Sequence, residues 1–285
     1  MASHDLIVII GSQRSGTTAF GNALADALGA AYLGEIFHGV RGPRDDPDYE
    51  RFLVQPWTNF FSFKEEAIKD FPAFAYPSRK NQEALWDLFL EKMRERAGTG
   101  RLVIDIKYNS LHHLNQIWQE PSNPPHIMKI FAAGKVPIFH IVRNDLFAQA
   151  VSIQRAQVTG VWHVSASKTP RETGAFKVDP RLAARFMQMT FANRRLVTNF
   201  LRRHAPVLEV VYEDTFTREG RFTQHACDLI SDFLGVGIES PPEPKLRKIL
   251  TQPLGASIAN RDEVHAFFQN HRFEAEVKKW IGQPS

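Results

Sequence analysis

The sequence predicts an α/β sandwich, in which a central and mostly parallel β-sheet lies between layers of helices. Short apolar runs such as residues 6–10, LIVII, are typical of strands buried on both faces of a parallel sheet. They alternate along the chain with amphipathic stretches at helical spacing, such as residues 82–97 and 181–203. A chain of 285 residues, 43% of them hydrophobic, is long enough for one large domain or two small ones, and we expect a single domain over residues 1–285.

A loop with a glycine at each end follows the first predicted strand. Gly11 ends the apolar run, Gly16 closes the loop, and the apolar positions that follow recur at helical spacing up to Gly29. In such a strand–loop–helix unit, backbone N–H groups and the positive end of the helix dipole converge on one point. Residues 12–18, SQRSGTT, are therefore a candidate site for phosphate or sulfate.

This loop differs from the Walker A loop of P-loop NTPases at one informative position. Gly11, Gly16 and Thr18 match the pattern G-x-x-x-x-G-K-[ST], but Thr17 stands where the pattern has lysine. An enzyme that uses ATP needs that cation, together with magnesium, to neutralise the triphosphate during transfer. The only cation in the present loop is Arg14. The sequence thus predicts a P-loop NTPase-like fold whose loop binds a different anionic group.

Two further candidate residues follow strands that a parallel sheet brings to the same edge. Glu35 comes after the second predicted strand, residues 30–33, and Lys107 comes after the third, residues 102–106. A carboxylate at this edge can take the proton of an attacking hydroxyl, so Glu35 is a candidate base and His38 is its competitor. Alternatively, Glu35 begins a helix or pairs with a surface cation, and Lys107 lies in solvent.

A second strand–turn–helix unit carries an arginine and a serine that suit a phosphate monoester. Residues 137–142 are predicted as a strand that ends at Arg143, and Ser152 lies on the helix that follows. In one straight helix the two residues would be about 13 Å apart, so they converge only if the chain turns at residues 144–145. The alternatives are a salt bridge between Arg143 and Asp145 and a helix-surface position for Ser152.

Together these two units resemble the donor-binding elements of sulfotransferases that use 3′-phosphoadenosine 5′-phosphosulfate (PAPS). The motifs SQRSGTT, GEIFH at residues 34–38 and RNDLFAQAVSIQRA at residues 143–156 are most similar to the bacterial Stf-zero branch, whose known member sulfates trehalose. The resemblance implies the sulfotransferase fold, PAPS as donor, 3′-phosphoadenosine 5′-phosphate (PAP) as product, and no metal.

The resemblance also implies a role for each candidate residue. Glu35 would be the catalytic base, Arg14 would stabilise charge on the departing phosphate, and Lys107 would assist. Arg143 and Ser152 would bind the 3′-phosphate, and Tyr212, in the segment VYED, would lie near the adenine. The residues of the first loop that would hold the phosphosulfate are Ser12, Gln13, Arg14, Ser15, Gly16, Thr17 and Thr18.

Two segments are expected to shape the acceptor side of this site. Residues 39–80 are rich in aromatic side chains and form a predicted insertion, and residues 159–180 form a predicted lid loop. We expect a small-molecule or glycan acceptor with a free hydroxyl, such as a carbohydrate or a glycolipid precursor. No spacing in these segments encodes one particular sugar, lipid or phenol.

Composition narrows the remaining function classes. The sequence has no apolar run of about 18 residues or more, the length that spans a membrane, and no charged-then-apolar leader. With a single cysteine, Cys227, these features predict a cytoplasmic protein without an internal disulfide. The net charge of +4 and the pI of about 9.2 suit an anionic nucleotide better than a nucleic-acid partner.

Two alternative functions and the assembly state stay open at this point. A P-loop kinase of nucleotides or metabolites would require magnesium and ATP, and it would have a lysine next to Gly16. A nucleotide-binding interaction protein without catalysis would use the basic face of residues 185–203 instead. The oligomeric state, with a homodimer among the options, is not encoded in any spacing.

Overall fold

A parallel β-sheet forms the centre of the computed structural model, which describes residues 5–38, 58–116, 123–162, 164–165, 174–217, 219–238, 241–247 and 254–282. Within these residues the sheet has five strands, β1 (Leu6–Gly11), β2 (Ala31–Glu35), β3 (Leu102–Lys107), β4 (Ile138–Val142) and β6 (Val207–Val211). Their order is β2-β3-β1-β4-β6, and all neighbours are parallel. The short strands β5 (Val164–Ser165) and β7 (Leu246–Arg247) form a separate antiparallel pair.

Helices cover both faces of this sheet, so the predicted P-loop NTPase-like α/β sandwich is confirmed. The α-helices in the described part of the chain are α1 (Thr17–Leu28), α2 (Phe60–Asp70), α3 (Arg79–Ala97), α4 (His126–Ala133), α5 (Leu146–Thr159), α6 (Pro180–His204), α7 (Tyr212–Thr215), α8 (Gln224–Leu234), α9 (Arg261–Phe268) and α10 (Glu274–Ile281).

The continuous apolar run of β1 follows from burial on both faces. Val8 and Ile10 pack into one hydrophobic cluster with residues of α2, α3 and α4. Ile7 and Ile9 pack into a second cluster with residues of α1 and α8. Because successive side chains of a strand point to opposite faces, neither face of β1 can accept a polar residue. A third cluster joins α5, α6, α9 and α10.

Capping residues account for helix ends that differ from the predicted ones. The helix predicted to begin at residue 82 begins at Arg79, because the side chain of Ser78 caps it and accepts a hydrogen bond from Asn81 N at 3.2 Å. The helix predicted over 181–203 spans Pro180–His204, because Asp179 caps it and proline suits its first position.

β2 contains an irregularity that changes where its last residue lies. The strand runs to Glu35, two residues beyond its predicted end, and Gly34 has a φ of 72°. Tyr32 pairs with Val103 and Glu35 pairs with Asp105, so β2 has one residue more than β3 over this stretch. Such a bulge turns the following side chain to the other face of a sheet.

The two predicted acceptor-side segments are described only in part. The predicted insertion over residues 39–80 is seen from residue 58 onward, where α2 begins shortly after the capping residue Asn59. Residues 163 and 166–173 of the predicted lid loop lie outside the described residues. The insertion, the lid and the single domain therefore stay predictions.

Candidate functional site

The loop between β1 and α1, residues 12–16, is called the anion loop here. Gly16 has a φ of 88°, a left-handed conformation that favours glycine, and α1 begins at the next residue. The Ser15 hydroxyl donates a hydrogen bond to the Ser12 carbonyl at 2.7 Å and closes the loop on itself. At Gly11 the packing leaves no room for a side chain, because a Cβ there would lie 2.9 Å from the Ile141 carbonyl oxygen.

A fully buried glutamine of α5 is hydrogen-bonded to this loop. The sequence analysis did not identify it as a site residue. The side-chain amide of Gln149 donates to Ser12 Oγ at 2.5 Å and to the Gln13 carbonyl at 2.7 Å. Gln149 stands three residues before Ser152, so both lie on one face of the helix. That spacing was the one signal in the sequence that could have identified it.

Arg14 joins the anion loop to the second predicted unit. Its Nε donates to Ser152 Oγ at 3.1 Å, and its terminal nitrogen donates to the carbonyl of Trp162 beyond the end of α5. Arg14 adopts a φ of 62°, which is unusual for a residue with a side chain. The loop arginine and the helix serine, which are 138 residues apart in the chain, are therefore in direct contact.

Arg143 reaches the same place from the end of β4. Its guanidinium donates to the Arg14 carbonyl at 3.3 Å and lies 4.8 Å from the centre of the Tyr212 ring. The Arg143 Nε is 3.6 Å from Glu213 Oε1, so its acidic neighbour is Glu213. The carboxylate of Asp145, the partner weighed from the sequence, instead caps α5 through the Ala148 N–H at 2.8 Å.

Tyr212 forms one wall of the site. Its ring lies against Gly16, where an added Cβ would be only 2.4 Å from the nearest ring carbon. The Arg143 guanidinium and this ring both contact the loop backbone, at Arg14 and at Gly16. Burial, and then the positive charge of Arg143, lower the pKa of Arg14 to about 10. With this pKa, Arg14 remains charged at neutral pH, and two neighbouring guanidinium groups favour a bound anion.

A second polar cluster lies at Thr17, the residue after Gly16, around Lys107 at the end of β3. The Lys107 ammonium lies 2.6 Å from Asp105 Oδ2 and 3.1 Å from Glu35 Oε1, and it also donates to the hydroxyl of Thr17. Burial alone would lower the pKa of Lys107, but the two carboxylates outweigh it and raise the pKa above its usual value. Lys107 is only 4% exposed, so it is neither solvated nor a surface residue.

Glu35 is thus beside the anion loop, as the strand order predicts. The alternatives in which it begins a helix or pairs with a surface cation are wrong, because it ends β2 and contacts a buried ammonium. Thr18, in the first turn of α1, contacts the hydroxyl of Tyr32, which lies on the same strand as Glu35. His38 lies in the turn that follows: its N–H donates to the Glu35 carbonyl at 3.0 Å, and its carbonyl accepts from the Asn59 amide at 2.5 Å.

A sequence profile of the Stf0 sulphotransferase family matches residues 6–231. The chain belongs to this family. None of the curated proteins compared with the chain matches it.

Two solved structures are similar to the chain of this sulphotransferase over most of its length. One is the deoxyadenosine kinase from M. mycoides with bound dATP, at 13% identity and a TM-score of 0.34, covering 81% of this chain and 99% of the kinase. The other is a GTPase in apo form from Pyrococcus abyssi, at 12% identity and a TM-score of 0.28, covering 81% of this chain and 97% of the GTPase.

The C-terminal part of the sulphotransferase, beyond the matched residues, also contacts the site. The Trp280 indole donates to Asp145 Oδ2 at 2.6 Å, and Glu276 Oε1 accepts from the Phe147 N–H at 2.7 Å. Both bonds go to the turn that follows Arg143 and begins α5.

In the described part of the chain, none of the helices combines the length and the apolar character that a membrane span requires.

Proposed function

We propose that this sulphotransferase moves the sulfuryl group of PAPS to a hydroxyl of a carbohydrate or a glycolipid precursor. One observation carries the proposal. The anion loop and the unit from Arg143 to Ser152 meet at Arg14, whose backbone carbonyl accepts from Arg143 at 3.3 Å and whose Nε donates to Ser152 at 3.1 Å. Two anion-binding elements in contact suit a donor that carries a phosphosulfate on one side of its ribose and a 3′-phosphate on the other.

The donor would lie across the two elements with its anionic groups on opposite sides of the arginine pair. The anion loop and the first turn of α1, from Ser12 to Thr18, hold the phosphosulfate through backbone N–H groups, hydroxyls and Arg14. Arg143 and Ser152 bind the 3′-phosphate, which ATP lacks. Tyr212 offers its ring to the adenine at the point where it packs against the loop.

Transfer needs a group that accepts a proton and groups that stabilise the leaving phosphate. The acceptor oxygen attacks sulfur while the bond between sulfur and the bridging phosphate oxygen breaks, and that electron pair leaves with PAP. The hydroxyl proton passes to Glu35, and Arg14 with Lys107 offsets the charge that grows on the leaving oxygen. The 3.1 Å contact between Glu35 and Lys107 supports this assignment, because it keeps base and cation at one point.

Donor specificity is tested by calorimetric titration with PAP in the absence of magnesium. We expect binding, and we expect Arg143→Ala to weaken it about 10- to 100-fold, since a hydrogen bond to a charged group contributes about 1.5–3 kcal/mol. Arg101→Ala is the matched control, because Arg101 also donates to a backbone carbonyl, that of Leu28 at 3.3 Å. Arg101 stands just before β3, at the amino end of the strand, whereas the site lies at the carboxyl ends of the strands. Binding of ATP only, and only with magnesium, would instead favour the kinase.

Catalysis requires its own measurement with labelled PAPS and a set of hydroxylated acceptors that begins with trehalose. Glu35→Gln should lower turnover about 10²- to 10⁴-fold while PAP affinity is nearly kept. His38→Asn, measured beside it, decides between the two candidate bases. Full turnover in Glu35→Gln would remove Glu35 from the role of base.

A further inference from the structure

Asp105 is a buried carboxylate that the proposed reaction does not yet use. It lies in the interior of β3 with no exposed surface, two residues before Lys107 and therefore on the same face of the strand. Its strand neighbours are Ile9 of β1 and Glu35 of β2. A charged group costs much free energy to bury unless it has partners, so its position in the centre of the sheet calls for a reason.

Its main partner is the ammonium of Lys107, whose hydrogen-bonding capacity is full. A lysine ammonium has three donors, and here they meet Asp105 at 2.6 Å, Glu35 at 3.1 Å and the hydroxyl of Thr17. The contact to Asp105 is shorter than the one to Glu35. Asp105 therefore holds the ammonium most closely, while Glu35 and Thr17, the first residue of α1, are its other two partners.

This cluster contains two carboxylates and one ammonium group. Glu35 and Asp105 are both carboxylates and share one buried cation, Lys107. Among the described residues, the other titratable side chain in contact with Asp105 is Tyr32 of β2, whose hydroxyl is 3.4 Å from Oδ2, and His38 follows Glu35 by three residues. α1 adds the positive end of its dipole above the cluster. Burial raises the pKa of Asp105, and the Lys107 ammonium opposes that rise.

We propose that Asp105 is a positioning residue for sulfuryl transfer, which anchors the Lys107 ammonium so that it supports the leaving group without neutralising Glu35. This inference rests on the proposed function. Held by Asp105 at 2.6 Å, the ammonium cannot form an exclusive ion pair with Glu35, and the glutamate carboxylate can accept the hydroxyl proton. Without the anchor, Lys107 moves toward Glu35 and weakens it as a base.

The pH dependence of turnover separates this role from a merely structural one. In Asp105→Asn we expect kcat with labelled PAPS and trehalose to fall about 10-fold, and we expect the acidic limb of the kcat/KM profile to move to lower pH by about one unit. The shift has this sign because a like charge is lost and the cation turns to Glu35. The KM for PAPS should change by less than about 3-fold, since the groups that bind the donor stay in place.

Tyr32→Phe is the matched control, because it removes the hydrogen bond from the Tyr32 hydroxyl to Asp105 but leaves every charge of the cluster unchanged. Its pH profile should coincide with that of the wild type. A lower kcat in Asp105→Asn with an unmoved acidic limb would overturn the proposal, and so would the same displacement of the limb in Tyr32→Phe.

A measurement without turnover keeps this test apart from that of the proposed function. In protein that carries isotope-labelled lysine, the Lys107 ammonium signal, assigned with Lys107→Arg, should be protected from solvent exchange in the wild type and in Tyr32→Phe. It should broaden or vanish in Asp105→Asn. If PAP binding and transfer fail in the wild type while this signal behaves as expected, the proposed function fails and the anchoring of Lys107 stands. An unchanged signal in Asp105→Asn would contradict the anchoring itself.

Discussion

Replacing Gly16 by alanine probes how closely Tyr212 packs against the anion loop. A Cβ at Gly16 would lie 2.4 and 2.6 Å from two carbons of the Tyr212 ring, far inside normal contact, and the residue has a φ of 88°. Gly29, at the other end of α1, provides a matched site. Its φ of 60° is also left-handed, but a Cβ there would meet nothing within 4 Å.

The two substitutions share one cost and differ in another. A residue with a Cβ in the left-handed region loses about 1–2 kcal/mol of stability, which applies to both glycines. Inserting a methyl group into packed surroundings costs about a further 1–3 kcal/mol, which applies only to Gly16. We therefore expect the free energy of unfolding to fall by about 1–2 kcal/mol in Gly29→Ala and by about 2–5 kcal/mol in Gly16→Ala.

Urea unfolding of both variants gives the stabilities, and calorimetric titration with PAP gives the effect on the site. Only Gly16→Ala should weaken PAP binding, because the displaced Tyr212 ring also lies 4.8 Å from the Arg143 guanidinium. In Gly16→Ala/Tyr212→Leu the smaller side chain should restore part of the lost stability. Equal losses of stability in the two single variants would refute the packing of Tyr212 against this glycine.

Two further predictions concern buried polar side chains. Gln149→Met removes two hydrogen bonds to the anion loop and should weaken PAP binding about 10-fold in calorimetry, whereas Gln154→Met, which removes two bonds between α5 and Asp179, should leave PAP affinity unchanged. Burial lowers the pKa of His140 to about 4, so the unfolded chain binds more protons between about pH 6.5 and pH 4 and stability falls as the pH drops through this range. Between about pH 6.5 and pH 5, urea unfolding should show the wild type losing about 1.5 kcal/mol more than His140→Asn.

Each of these predictions can fail in a specific way. Equal PAP affinities in the two glutamine variants would mean that the amide of Gln149 does not hold the loop in a binding conformation. Parallel pH profiles of the wild type and His140→Asn would mean that His140 takes up its proton equally well in the folded and unfolded chain.

The architecture follows largely from local sequence patterns. The apolar run of β1 and the glycines of the anion loop identify a buried strand, a tight turn and a helix start without any distant partner. The turn at residues 144–145 likewise predicts that Arg143 and Ser152 approach one anion, and the structure places both beside Arg14. The chemical roles of these residues stay predictions until donor binding and transfer are measured.

The partners of the site residues could not be predicted, because they depend on long-range packing. Asp105 is a polar residue within a strand, and nothing local distinguishes a buried one from a solvent-facing one. For Gln149, the three-residue spacing from Ser152 is the one local signal. Glu213 is separated from Arg143 by 70 residues, so its approach depends on the pairing of β4 with β6. The bulge at Gly34 is defined by how the residues of β2 pair with those of β3. The sequence of one strand alone does not specify that pairing.

The last helix has a practical consequence for anyone who shortens this protein. A fragment that stops at residue 231, where the family match ends, would retain the arginines and the glycine loop yet lose Trp280 and Glu276. Asp145 would then cap α5 without the hydrogen bond that it now accepts from the Trp280 indole. Such a fragment would match the family profile in full but would expose the third hydrophobic cluster, because α9 and α10 cover the apolar faces of α5 and α6.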